Sequence, residues 1–179
     1  MMAFVKLTGA FAPWLSFLLI AHGTMFRVKV GLAVALSLSV AMGIARLHRG
    51  IILWIGLVFF SYAMVAVVAF EDHWTLQHMG MLANGVLAAG SWLTVIVKRP
   101  FTLDYAKEHA DRALWDNPVF LKTNYVVTSV WAAVFTLNTG MAFLKMNRLV
   151  FDELTAELMS YTFLVGGALF TIWYPNRGR

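Results

Sequence analysis

Histidines and carboxylates are the side chains of this sequence best suited to chemistry, and Glu71, Asp72, His73 and His78 gather in one short stretch. His22 falls on the same side of a membrane when the apolar runs described below are read as crossings. Carboxylates and neutral imidazoles suit a divalent metal, and two facing imidazoles suit haem, provided the helices bring them together. Their spacing matches no HExxH-type motif, so the alternative is a polar loop with histidines at helix ends. The remaining two, His48 and His109, fall on the opposite side and read as solvated. There is no cysteine. That excludes disulfides, thiolate metal sites, iron–sulfur clusters and cysteine nucleophiles. The sequence requires no cofactor.

A second set of polar residues, Asn84, Ser91, Asn138 and Thr139, lies inside long apolar runs. Amides and hydroxyls in a membrane bundle commonly bond across helices for roughly 0.5–2 kcal/mol each, so packing glue is the expectation and a polar cavity lining the functional alternative. No Asp, Glu, Lys or Arg lies near the middle of these runs. Proton- and ion-coupled carriers usually place one there. Gly85 and Ala89 are spaced for close helix approach, within the protein or across a dimer seam.

The elements that must position these residues follow from composition. Of 179 residues 60% are hydrophobic and 13% charged, with a mean hydropathy of +0.73. A soluble domain carries roughly twice that charge, so the chain reads as a single all-α membrane domain over 1–179. A span needs roughly 17–25 apolar residues, and charges mark its ends. Six spans are expected, at about 7–26, 28–46, 50–70, 77–97, 123–144 and 158–174. Runs such as 51–70 are continuous rather than alternating, which excludes an outer-membrane barrel. Pro13 is expected to kink the first span. The n-region before it carries only Lys6, so a cleaved signal peptide is not expected. The ten Met and 14 Phe read as lipid-facing or packing side chains.

With six spans and both termini inside, ten of the 14 Lys and Arg fall on the cytoplasmic side, and Arg27, Lys29, Lys145 and Arg148 fall outside. The positive-inside rule favours this orientation, and the net charge of +5 then reports topology rather than nucleic-acid binding. The one long polar stretch, residues 98–124, is expected to carry an interfacial helix over about 101–114 on the cytoplasmic membrane surface, stopped at Asn117–Pro118. Asp104/Glu108, Lys107/Asp111 and Glu108/Arg112 share one face of it, and Phe101, Tyr105 and Leu114 the other. It reads as an anchor between spans four and five or as a docking surface, with Lys107 and Arg112 as its contacts.

The order of Phe59–Phe70, Glu71-Asp72-His73-Trp74, Gly85–Gly90, Lys98-Arg99-Pro100 and Trp131-Ala132-Ala133-Val134-Phe135 with Gly140 resembles the intracellular septation protein A family of small bacterial inner-membrane proteins. The resemblance covers about residues 25–145; the connector here is longer, and Thr128 stands where that family tends to carry Asn. It implies a non-catalytic protein of the bacterial inner membrane tied to envelope synthesis or division, and it supplies no catalytic residues. The expected function is therefore non-enzymatic, acting through a membrane-protein partner or a second copy within the lipid bilayer. The competing classes are a small-solute carrier and a metal- or haem-binding redox subunit.

Overall fold

In the computed structural model, residue 9 and residues 11–21, 24–45, 50–108, 110–147 and 152–177 are described. They are helical, with no strand among them. Seven α-helices follow in order: α1 (Ala12–Ile20), α2 (Met25–Ile44), α3 (Ile51–Met64), α4 (His73–Ile96), α5 (Thr102–Lys107), α6 (Pro118–Met146) and α7 (Glu153–Trp173). Helix α3 runs on as a π-helical turn at Val65–Ala69, and 3-10 turns stand at Arg112–Leu114 and Tyr174–Asn176.

Five of these helical stretches are long and apolar enough to cross a membrane: Met25–Ile44, Ile51–Ala69, Met79–Ile96, Pro118–Met146 and Leu154–Asn176. The chain is thus a multi-pass helical membrane protein, and large side chains such as Phe26, Ile44, Val58, Ile96, Val119, Val165 and Leu169 are exposed on these helices, where lipid rather than water suits them. Of the expected first span, 7–26, residues 9, 11–21 and 24–26 are described, with α1 at Ala12–Ile20 and the start of α2 at Met25. Among the described residues Pro13 stands in the first turn of α1, where its missing N–H leaves no hydrogen bond unmade.

The described residues form two compact units, one within Lys6–Gln77 and the other within His78–Arg179. In the first, α1 packs on α2 and α2 on α3. An aromatic cluster fills this unit: Trp14 stacks on Phe59 at 5.2 Å and tilts against Phe60 at 4.8 Å, and Phe17 meets Phe60 at 5.8 Å. Two glycines admit this packing. A Cβ at Gly31 would lie 3.1 Å from Ala21 Cβ and 3.3 Å from its backbone nitrogen, and one at Gly56 would lie 3.3 Å from Trp14 Nε1. Small residues at such points let helices approach closely, the contact that drives association where lipid removes the hydrophobic force.

In the second unit, α6 is the central element and packs on α5 and α7. Asn117 caps it, its Oδ1 accepting from Val119 N at 2.8 Å and Phe120 N at 3.4 Å, with Pro118 at the first helical position. Across α6 and α7, Trp131 Nε1 donates to Thr171 Oγ1 at 2.9 Å, and Gly167 lies against Trp131 and Val134. Lys145 Nζ meets Glu157 Oε1 at 2.7 Å. Between α4 and α6, Trp92 Nε1 donates to Thr136 Oγ1 at 3.1 Å, and the Cβ position of Gly85 faces Thr139 Cγ2 at 3.8 Å.

Candidate functional site

The loop from α3 to α4 holds Glu71 and Asp72, with His73 and His78 in the first turns of α4, and its geometry follows from how a helix must begin. The first N–H groups of α4 have no intrahelical acceptor. Asp72 supplies one: Oδ1 accepts from Trp74 N at 3.1 Å, and Oδ2 from Thr75 N at 3.2 Å and Thr75 Oγ1 at 2.6 Å. With its single proton given to Asp72, buried Thr75 accepts from Tyr62 Oη at 2.8 Å, so a Tyr62–Thr75–Asp72 chain ties α3 to α4. Glu71 adopts φ 49° to make the corner and pairs with Lys29 Nζ at 3.6 Å.

The hydrogen bonds from Thr75 and Trp74 hold the Asp72 carboxyl below its ordinary value of 3.8. A depressed carboxylate contributes stability that is complete above its ordinary pKa and is lost as pH falls through the folded one. Asp72→Ala is therefore expected to melt at a lower temperature than the native chain at neutral pH, with the difference closing as pH falls below 3.8. A melting difference unchanged across that range would contradict the capping role.

Of the expected metal or haem ligands, four lie among the described residues. Glu71 and Asp72 have the partners just named, and His22 lies outside the described residues. His73 is exposed in the first turn of α4, and His78 follows five residues later, about 140° further round the helix. Among the described residues no three His, Asp or Glu side chains converge as a metal site would require.

The intramembrane polar residues differ from the cross-helix glue expected of them. Asn84 Nδ2 donates to Gly80 O at 2.9 Å and Thr139 Oγ1 to Phe135 O at 2.8 Å, each one turn back on its own helix. A helical hydroxyl or amide reaches the i−4 carbonyl without leaving a favoured rotamer, so the short local bond wins over the longer one. Two cross-helix bonds come instead from the long donors Trp92 and Trp131. Ser91 Oγ and Asn138 Oδ1 are buried with no partner.

The largest departure from expectation is the connector. A continuous surface helix over 101–114 is absent; α-helix covers Thr102–Lys107, and a separate 3-10 turn at Arg112–Leu114 is capped by Asp111, whose Oδ1 accepts from Ala113 N at 3.0 Å. Of the expected apolar face, Phe101 and Tyr105 meet protein, buried with Pro100 and Thr102, while Leu114 is exposed. Thr102 Oγ1 donates to Asn124 O at 3.0 Å and lies 2.9 Å from Thr128 Oγ1, and Phe101 N donates to Thr94 Oγ1 at 3.3 Å. Burial pushes the Tyr105 phenol well above its ordinary value, so it stays neutral. Desolvation also raises the Asp104 carboxyl, against the lowering pull of Lys107. Sequence reasoning missed the set Thr94, Thr102, Asn124 and Thr128; its signal is the i, i+4 pair Asn124/Thr128 facing an apolar-polar Phe-Thr step.

What the connector leaves outside is a charged, aromatic edge. Lys107 Nζ stands 5.1 Å and the Arg112 guanidinium 5.8 Å from the Trp115 ring centre, with Glu108 and Asp111 exposed nearby in sequence. Cations over an indole are worth about 0.5–1 kcal/mol at such exposed sites, enough to order the edge without burying it. No protein-family model, curated protein or solved structure matches the chain.

Proposed function

We propose that the protein is a non-enzymatic component of the bacterial inner membrane that works by binding another membrane or envelope component through the edge formed by Lys107, Arg112 and Trp115. The observation that carries this reading is the anchoring of the connector. Buried Phe101 and the Thr102 hydrogen bonds hold α5 to α6, so the charged edge is presented on a rigid platform. A pre-ordered surface forfeits less entropy when a partner docks than a mobile loop does.

The orientation is part of the proposal. With the five long helices crossing, Arg46, Arg49, Lys98, Arg99, Lys107, Arg112, Lys122, Arg177 and Arg179 share one side, and Arg27, Lys29, Lys145 and Arg148 the other, whichever side holds Lys6. The count of nine against four supports a cytoplasmic connector and C-terminus by the positive-inside rule. Six crossings put the N-terminus there too. The likeness in residue order to the septation protein A family supports an envelope-linked role.

The test is charge reversal at the edge. Lys107→Glu with Arg112→Glu is expected to release a membrane protein that co-purifies with the native chain, while the melting temperature moves by no more than the about 0–1 kcal/mol that exposed charges contribute. Retention of the partner by a folded double variant would overturn the reading.

A further inference from the structure

At the connector's edge two cations share one indole, and among the described residues neither is paired with a carboxylate. Lys107 Nζ and the Arg112 guanidinium stand 5.1 Å and 5.8 Å from the Trp115 ring centre, while the ion pairs among the described residues are Lys29–Glu71 and Lys145–Glu157. Of the carboxylates close in sequence, Asp111 is engaged in capping, its Oδ1 accepting from Ala113 N at 3.0 Å. Asp104, Glu108 and Asp116 are exposed. Residues 98–122 carry five Lys and Arg against four Asp and Glu, so the stretch is no diffuse basic field. Attraction for an anion has to come from the two cations held together at Trp115.

The depth of this edge in the membrane follows from α6. A membrane-crossing stretch starts at Pro118, and Lys122 is the one charge in it before Lys145. A lysine in a crossing helix puts its ammonium in water or among the headgroups, so the hydrocarbon starts beyond it. Pro118 is then about 6 Å further out, within a headgroup layer of about 5–8 Å. Trp115 stands three residues from Pro118 in the chain, and tryptophan is enriched at this depth. Leu114 and Val119, on either side of Trp115 in sequence, are 46% and 73% exposed. An acidic peptide would answer the cations and leave these two apolar side chains in water. A phospholipid answers both, with phosphate for the cations and glycerol and upper chain for the apolar pair.

We propose that the edge seats the headgroup of an anionic phospholipid, with its phosphate on Lys107 and Arg112 and its glycerol backbone against Trp115 and Leu114. Arg112 offers a planar fork that matches two phosphate oxygens, and Lys107 a point charge. Their contacts with the Trp115 ring order both side chains before the lipid arrives, so less freedom is lost on binding. The proposal rests on the reading of this edge as the binding surface and names the component it takes.

The test uses the full-length protein in phosphatidylcholine vesicles doped with increasing amounts of phosphatidylglycerol or phosphatidylcholine brominated high on the chains, since bromine quenches an indole it touches. The Trp115 share of the emission from the seven tryptophans is the difference between the native chain and Trp115→Phe. Each basic side chain near a membrane surface is worth about a fivefold preference for anionic lipid, and the exposed carboxylates offset part of that; half-quenching is expected at a mole fraction at least about fivefold lower for brominated phosphatidylglycerol than for brominated phosphatidylcholine. Lys107→Gln with Arg112→Gln should bring the two curves together, and so should high salt. A double variant that keeps the native preference would assign the lipid to other cations and overturn the proposal. Equal quenching by the two lipids in the native chain overturns it as well, and leaves the edge as a protein contact if Lys107→Glu with Arg112→Glu still releases the co-purifying protein. Equal quenching together with retention of that protein overturns the reading of the edge itself.

Discussion

Replacing Phe60 with alanine is expected to lower the stability of the first unit by about 3 kcal/mol, the low end of the range for deleting a buried ring. Phe60 is fully buried and touches three other aromatic rings, Trp14, Phe17 and Phe59. In a water-soluble core the loss would combine a transfer term with a cavity term. Helices that separate within lipid keep their side chains in an apolar medium, so the transfer term largely cancels and lost dispersion contacts remain. A melt in detergent should show Tm falling by roughly 6–12 °C for a chain of this size. Val58→Ala, on an exposed face of the same helix, should move stability by no more than about 0.5 kcal/mol. Equal effects at the two positions would mean that the aromatic cluster does not hold this unit together.

Removing the connector's anchor should produce the second large effect, and a local one. Phe101 is 1% exposed and lies outside the crossing helices, so its unfolded reference is water and the full cost of about 3–5 kcal/mol applies to Phe101→Ala. The expected readout is hydrogen exchange: amides of residues 102–107 lose protection while those in the middle of α6 keep theirs. Thr102→Val preserves shape but deletes the bonds to Asn124 O and Thr128 Oγ1. A loss of about 1–2 kcal/mol should speed exchange across α5 by roughly 5–30-fold. Unchanged protection in Phe101→Ala would show that α5 is not held by its buried face.

The membrane-crossing helices were legible because span length is set by the thickness of hydrocarbon, a constraint composition reports directly. Their ends were less so. The charge-free criterion starts the fifth expected span at 123, yet α6 begins at Pro118 and runs through Lys122, since a lysine at a membrane edge can reach water without interrupting helix. The connector's amphipathic pattern correctly separated Phe101 and Tyr105 from Lys107 and Arg112. It could not say whether the apolar side meets lipid or protein, because both present the same chemistry to a side chain. Asn84 and Thr139 were recognisable as intramembrane polar residues, but their choice of an i−4 carbonyl over another helix is a rotamer decision that residue type leaves open. The capping role of Asp72 was hidden by its neighbours: beside Glu71 and two histidines a carboxylate looks like a ligand, and only the position of Thr75 three residues on distinguishes a helix start.

Helix α6 has 29 residues and is therefore about 44 Å long, against a hydrocarbon slab of about 30 Å. Such a helix fits bilayers of different thickness by changing its tilt, at a cost of fractions of a kcal/mol per ångström of mismatch. Thr102 is hydrogen-bonded to Asn124 and Thr128 within the first turns of this helix, so α5 and its charged edge ride on whatever angle it takes. Lipid chain length thus becomes a mechanical input: in a thinner membrane α6 leans further, and the height at which Lys107 and Arg112 stand relative to the headgroups changes with it.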